Sequence, residues 1–356
     1  MFDFEKRLVF ISVLTIIPIA LSILVLGCDM QIKKKEGETE VSSNLADLFT
    51  GSATIEQDFS ESMPSEAETG IDISHSHGNI SVKGWDRDEV KIEGKKIVKA
   101  KDEETARMYA EQMKVEIKSE GDKIVVKTIR PKPEESWKIR QITMNYELYA
   151  PENLNVALES IHGDVIAENF TGKLDLGSRH GKLQVAQIGM DASVKHEHGN
   201  VNISHVGGNA WVSKRHGDIR IESVGGELRL DHQHGNVDLD TIGKGADLTK
   251  QHGEVNVANV GGMLKLNHEH GRLRLKMIEG DVEIKKQHGE IDIESVNGNV
   301  SVHSEHGNLR VIDVGGNVHL TGAHGNAHVE NVSGAADISR EHCKVSLHNV
   351  ETVNSL

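Results

Sequence analysis

Aromatic residues make up only 3% of this 356-residue chain, proline occurs 5 times and cysteine twice. One large globular core draws much of its bulk from aromatic side chains, so their scarcity argues against such a core. Cys28 and Cys343 are too few for a disulfide framework. Positive charge is also short: 40 Lys and Arg stand against 55 Asp and Glu, a net charge of −15. Nucleic acid and anionic lipid surfaces both call for basic patches. The longest basic run is Lys33-Lys34-Lys35, so no nucleic-acid partner is expected. The sequence has no nucleophile elbow, phosphate loop, HExxH or dinucleotide fingerprint. What it has is 35 glycines and 21 histidines, with Val, Ile and Leu supplying most of the apolar content. Length alone would suggest two or three domains. The composition suits a stack of thin, repeated β units better.

The N-terminus reads as an address. Lys6 and Arg7 precede an uncharged apolar run over 8–26, and Val25-Leu26-Gly27-Cys28 follows. That string resembles a bacterial lipobox, in which Cys28 is lipidated and becomes the mature N-terminus. Residues 1–27 are then a lipoprotein signal peptide. The competing reading is an uncleaved anchor, since the run is long enough to span a bilayer, although Pro18 interrupts it. Both place the rest of the chain outside the cytoplasm and tethered to a membrane, at the periplasmic face of the inner membrane or at the cell surface. Asp29 resembles a signal for inner-membrane retention. Residues 28–52 are polar and aperiodic and are expected to form a flexible tether.

The dominant signal is a period. His-Gly occurs at 162, 180, 198, 216, 234, 252, 270, 288, 306 and 324, always 18 residues apart, and His342 continues the series with Cys343 in the glycine slot. With each His as position zero, positions three and five are aliphatic, as in Val201 and Ile203. Position eight is Val, Ile or Phe, as in Val206. Positions twelve and fourteen are apolar, as in Leu228 and Leu230. Alternation over five residues makes a strand with one buried face. Two short strands and two turns per 18 residues make one coil. Stacked coils pair each strand with its equivalents above and below at about 4.8 Å. The predicted fold class is all-β: a parallel β-solenoid, or β-helix, over 161–356.

Other 18-residue solenoids fail on phase. A left-handed hexapeptide helix needs apolar residues every six positions, but Glu222, Asp240 and Lys276 occupy position six. A calcium β-roll needs Gly-x-Gly-x-Asp turns, and these are absent. The register extends upstream to Ile71, Ile73, His77-Gly78, Ile80 and Val82. An N-terminal segment over 53–160 is therefore expected to hold one coil near 66–94, interrupted by an insertion at about 95–148. That insertion reads as a helix capped by Asp102, with Ala106, Tyr109, Ala110 and Met113 on one face. A hairpin about Glu120-Gly121-Asp122 and a strand through Ile142, Met144, Tyr146 and Leu148 follow. A small α+β cap for the N-terminal end of the stack is the expectation.

The stretch Gly78-Asn79-Ile80-Ser81-Val82-Lys83-Gly84-Trp85-Asp86, with Glu89-Val90-Lys91-Ile92 and the Tyr-Glu-Leu-Tyr-Ala-Pro strand at 146–151, resembles the bacterial "putative adhesin" family of unknown function. The resemblance covers roughly 55–350. It implies a right-handed parallel β-solenoid anchored to the bacterial envelope, and it carries over no catalytic residues. The departure is a histidine before nearly every repeat glycine, where the family more usually has small polar residues.

Stacking should align His162, His180, His198, His216, His234, His252, His270, His288, His306, His324 and His342 in one column. Two residues earlier, His196, His232 and His268 alternate with Lys214, Lys250 and Lys286. Residues two apart share a face of an extended strand. The pairs His196/His198, His232/His234 and His268/His270 could thus each hold zinc, copper or nickel. The competing reading is a structural ladder of stacked polar side chains, like the Asn ladders of cross-β stacks, and it needs no cofactor. In either case the charged forms of neighbouring rings repel, so protonation should be coupled and pushed downward in pH.

The functional expectation is a non-catalytic, envelope-anchored adhesion, scaffold or interaction module. One alternative is extracytoplasmic metal binding. Another is an accessory role in envelope-stress signalling. Trp137 and its charged neighbours in the insertion are too little for a catalytic site. Cys343 reads as a turn cysteine or as half of an intermolecular disulfide. The last coil has an open strand edge, which invites another copy or an envelope protein.

Overall fold

The computed structural model describes residues 40–42, 52–132 and 138–355. The expected signal peptide, Cys28 and Trp137 lie outside the described residues. Within the stretch read as a tether, a short strand β1 (Glu40–Ser42) pairs antiparallel with β2 (Ala53–Pro64). No helix among the described residues is long and apolar enough to cross a membrane.

The chain divides into two compact units. Among the described residues, the smaller comprises 40–42, 52–58, 96–112, 131–132 and 138–142. It contains the helix α1 (Glu103–Gln112), where Asp102 Oδ1 accepts the Thr105 N–H at 2.8 Å as a helix cap. Ala106, Tyr109 and Ala110 form its buried stripe.

The larger unit comprises the described residues 59–95, 113–130 and 143–355, and it is a parallel β-solenoid. Its regular coils follow the 18-residue period. β13 (Ala192–His198) and β14 (Val201–Val206) make one coil, β15 (Ala210–His216) and β16 (Ile219–Val224) the next. Each strand pairs in parallel with its equivalent one coil away, Val194 with Val212 and Ile203 with Ile221. Burial follows the alternation: Val201, Ile203, Val206, Ala210 and Val212 are 3% exposed or less.

At the N-terminal end, β3 (Gly70–His77) and β4 (Ile80–Trp85) stack on β9 (Asn155–His162) and β10 (Val165–Phe170). The other edge of β3 carries β7 (Lys123–Ile129), and the other edge of β4 carries residues 146–151 of β8 (Ile139–Pro151). The insertion therefore supplies one further coil over the first. Its hairpin, β6 (Lys114–Glu120) with β7, turns at Gly121 as expected.

Two turn devices hold the coils in phase. The glycine after each His has φ between +106° and +130° from Gly163 through Gly325 in the regular coils, a region that L side chains rarely enter. Space forbids a side chain there too: a Cβ on Gly217 would lie 2.4 Å from the Gly199 carbonyl oxygen. In the last coil His342 takes the left-handed conformation itself, with φ 54°, so Cys343 can occupy the glycine slot. Cys343 is a half-buried free thiol.

The second device was not evident in the sequence. Position seven is left-handed in coil after coil without being glycine: Gln187, His205, Ser223, Thr241, Asn259 and Met277 have φ between 55° and 60°. Side-chain ladders tie these coils further. The Asp164 carboxylate accepts the Lys182 N–H, and the Asn200 amide oxygen accepts the Asp218 N–H. These ladders satisfy turn donors that the strands leave unpaired.

Candidate functional site

The 18-residue period brings two columns together at one turn of the coil. The outer column is a stack of imidazole rings. It begins one coil earlier than His162, at His77, and continues through His342. Neighbouring centroids are 4.7 to 5.1 Å apart. The rings are nearly parallel from His162 to His234, with interplanar angles of 4° to 7°. They tilt by 22° and 25° about His252. Most of these residues are exposed, and no hydrogen bond engages the ring nitrogens among the described residues. The stack arises from backbone register alone, His180 opposite His198 and His198 opposite His216.

The inner column lies two residues earlier. Reading along the stack it runs His75, Ser160, Ser178, His196, Lys214, His232, Lys250, His268, Lys286 and Ser304, each 5% exposed or less. The structure separates His196 from His198, His232 from His234 and His268 from His270. The first of each pair faces the interior and the second joins the outer stack. The expected shared face fails because the strand turns at the His-Gly step, where the glycine adopts its positive φ. The inner position continues the inward series of positions twelve and fourteen. That alternation was the available signal, and the polar residue types concealed it.

The turn explains why the interior accepts polar groups here. It leaves backbone carbonyls facing the interior, and the inner side chains donate to them. Lys214 Nζ donates to the carbonyls of Gly199 and His216. Lys250 Nζ donates to those of Gln233 and His252. His232 Nε2 donates to the Gly217 carbonyl at 2.9 Å, and His268 Nε2 to those of Gly253 and His270, also at 2.9 Å. This fixes the His268 tautomer, so its Nδ1 accepts from Lys286 Nζ at 2.8 Å. His75 occupies the same place in the first coil, against the Gly78 carbonyl and Thr128 Oγ1, edge-on to Tyr146.

Burial without a carboxylate partner disfavours charge on all of them. Desolvation, then the adjacent Lys250 and Lys214, holds the His232 imidazolium pKa down at about 4. His196 and His268 are pushed to about 4 by desolvation and the neighbouring lysine, and His75 chiefly by desolvation. Desolvation pushes Lys214, Lys250 and Lys286 down to about 8. Alternation keeps ammonium groups two coils apart, which limits their mutual repulsion. In the outer column the His216 pKa is lowered, first by desolvation and then by the charges of His198 and His234.

Among the described residues, no three His, Cys, Asp or Glu side chains converge as a metal-binding group. Away from the columns, the outer strand faces carry rows of charges paired across coils. Arg310 meets Asp292 at 2.9 Å and Lys276 meets Glu294 at 3.7 Å. A shallow groove of about 620 Å³ crosses several of these rows, with Arg272, Arg274, Asp292, Arg310 and Lys344 on its walls.

No family model matches the chain, and no curated protein does. Solved structures do match. A structure titled "Putative lipid binding protein" from Parabacteroides distasonis shares 12% identity, with 84% of this chain and 97% of that chain covered and a TM-score of 0.26. A "putative adhesin" from Bacteroides fragilis shares 13% identity over 84% and 97%, with a TM-score of 0.19. A "putative cell adhesion protein" from Clostridium sporogenes shares 8% over 84% and 100%, with a TM-score of 0.20. The low scores and identities leave the functional argument to this chain's own residues.

Proposed function

We propose that this chain is a non-catalytic β-solenoid, anchored to a membrane through Cys28 and held outside the cytoplasm, that serves as an adhesion or scaffold module of the cell envelope. The observation that carries this reading is the repetition of the exposed faces. Each coil presents the same outward positions at one β spacing from the last, as in the cross-coil rows that include Arg310–Asp292 and Lys276–Glu294. An extended partner laid along the stack meets outward side chains at one regular step, with charge reversing between neighbouring coils, as at Arg274, Asp292 and Arg310. Many weak contacts then add up to avidity. The uniform, short turns suit such contact better than a catalytic cleft does.

The test uses the producing cell. Cys28→Ser should release the protein from the membrane fraction, and a strain without the protein should attach to surfaces or to other cells several-fold less. Attachment unchanged in the deletion strain, with the protein recovered in the cytosol, would remove the proposal.

A further inference from the structure

We propose that the outer imidazole column is an array of two-histidine sites for divalent transition-metal cations of borderline softness, each ion shared by the rings of two neighbouring coils. The array goes beyond the envelope role and does not depend on it.

The eleven ring contacts from His77 to His342 link twelve imidazoles in one line. Imidazole nitrogen binds copper, nickel and zinc. Two nitrogens with bonds of about 2.0–2.1 Å sit about 3.4 Å apart on a tetrahedral ion such as zinc, and about 2.9 Å apart at the right angle of tetragonal copper. The ring centroids stand 4.7 to 5.1 Å apart. Two neighbours must therefore lean together by up to about an ångström each and, since a ring nitrogen's lone pair lies in the ring plane, turn out of the stack toward the shared ion. The torsion that swings an imidazole about its Cβ–Cγ bond is broad, and these rings carry no hydrogen bond that the movement would break. The tilts of 22° and 25° on either side of His252 show a ring already turned from the stack, by less than a shared ion needs.

The inner histidines are excluded as co-ligands by their place in the interior, where His196, His232 and His268 are 3% exposed or less. His268 spends both nitrogens on Gly253, His270 and Lys286, and His232 Nε2 is held by Gly217. The ligand pair is therefore formed between coils and not within one, as in His198 with His216. Only two protein ligands reach each ion, so water completes the shell and the sites are open and exchangeable. The net charge of −15 draws cations toward the surface. A ring can serve one ion at a time, so twelve rings hold at most six ions.

The test compares two variants that lose the same number of imidazoles. Changing His162, His198, His234, His270, His306 and His342 to Asn leaves six rings, each separated from the next by about two coils, roughly 10 Å. Changing His252, His270, His288, His306, His324 and His342 to Asn leaves six rings still adjacent. The full chain in detergent is titrated calorimetrically with copper, nickel or zinc chloride alone. The wild type should take up as many as six ions, copper tightest. The adjacent-ring variant should keep about half that number, and the alternating variant should bind at least tenfold more weakly. Equal binding by the two variants would overturn the shared-ion arrangement, and so would a wild type that binds none. A second measurement needs no variant. Copper bound to the wild-type chain should show electron paramagnetic hyperfine splitting from two equivalent imidazole nitrogens, and splitting from one alone would refute the site.

Discussion

At the scale of single residues, the coil depends on backbone conformation more than on side-chain chemistry. Gly217 has φ +106° and a backbone oxygen where its Cβ would go. Gly217→Ala should therefore destabilise the protein by upward of about 2 kcal/mol, read as a fall in the urea midpoint. Position seven has the opposite character. Met277 holds φ 57° with its side chain 43% exposed, so it bears left-handed strain without giving much burial in return. Met277→Gly should raise stability by about 0.5 kcal/mol. A loss on that substitution would mean that the exposed thioether packs more than its accessibility suggests.

The buried titratable residues make a second residue-scale prediction. Desolvation pushes the inner lysines down to about 8 in the folded chain, below their ordinary value of 10.5. The unfolded chain therefore binds more protons between those values, and stability should rise as pH climbs from 8 toward 10.5. The inner histidines shift the same way, from 6.5 to about 4. Their contribution is complete above pH 6.5 and is lost as pH falls toward 4. Urea midpoints should thus fall on acidification from pH 7 to 4.5 and climb from pH 7.5 to 9.5. Changing Lys214, Lys250 and Lys286 together to Met should flatten the alkaline climb and leave the acid fall in place.

At the scale of strands and turns, much of the architecture was legible and some of it was not. Val201, Ile203, Val206, Ala210 and Val212 disclose their burial because aliphatic residues recur in phase. The helix and hairpin of the insertion were legible from Asp102 and Gly121, which carry local backbone signatures. The inner column stayed hidden because His, Lys and Ser ordinarily mark a solvated face. Their burial follows from carbonyls turned inward by the Gly turn, which is a tertiary property. The left-handed run at position seven was only partly hidden: Asn169, His205, Asn259, Asp313, Asn331 and Asn349 are types that tolerate that conformation, whereas at Gln187, Thr241 and Met277 the stacked turn imposes it. The outer histidines were legible as a column. Their separation from the inner ones required knowing where the strand bends.

At the scale of the whole chain, each regular coil repeats the same backbone hydrogen bonds to its neighbours. Cohesion therefore resides in the interfaces between coils, and local loss of one coil costs about one interface. Acid should act unevenly along the repeats, since only His75, His196, His232 and His268 are buried histidines. Hydrogen exchange at pH 5 should quicken first around coils 196–270. The Ser304 coil, which has no inner histidine, should hold longer. Uniform exchange along the repeats would show that the inner column does not set the acid response.

The strict Lys–His alternation of the inner column also constrains how such a gene can shrink. Unequal recombination between near-identical repeats removes whole coils and leaves the aliphatic contacts intact. Excising 253–270 would bring Lys250 directly against Lys286, two buried ammonium groups one strand apart. Excising 235–270, twice as much chain, would seat Lys286 beside His232 and keep the order. The larger deletion should give the more stable protein at neutral pH. Lineages of this chain would then be expected to change length two coils at a time within this stretch.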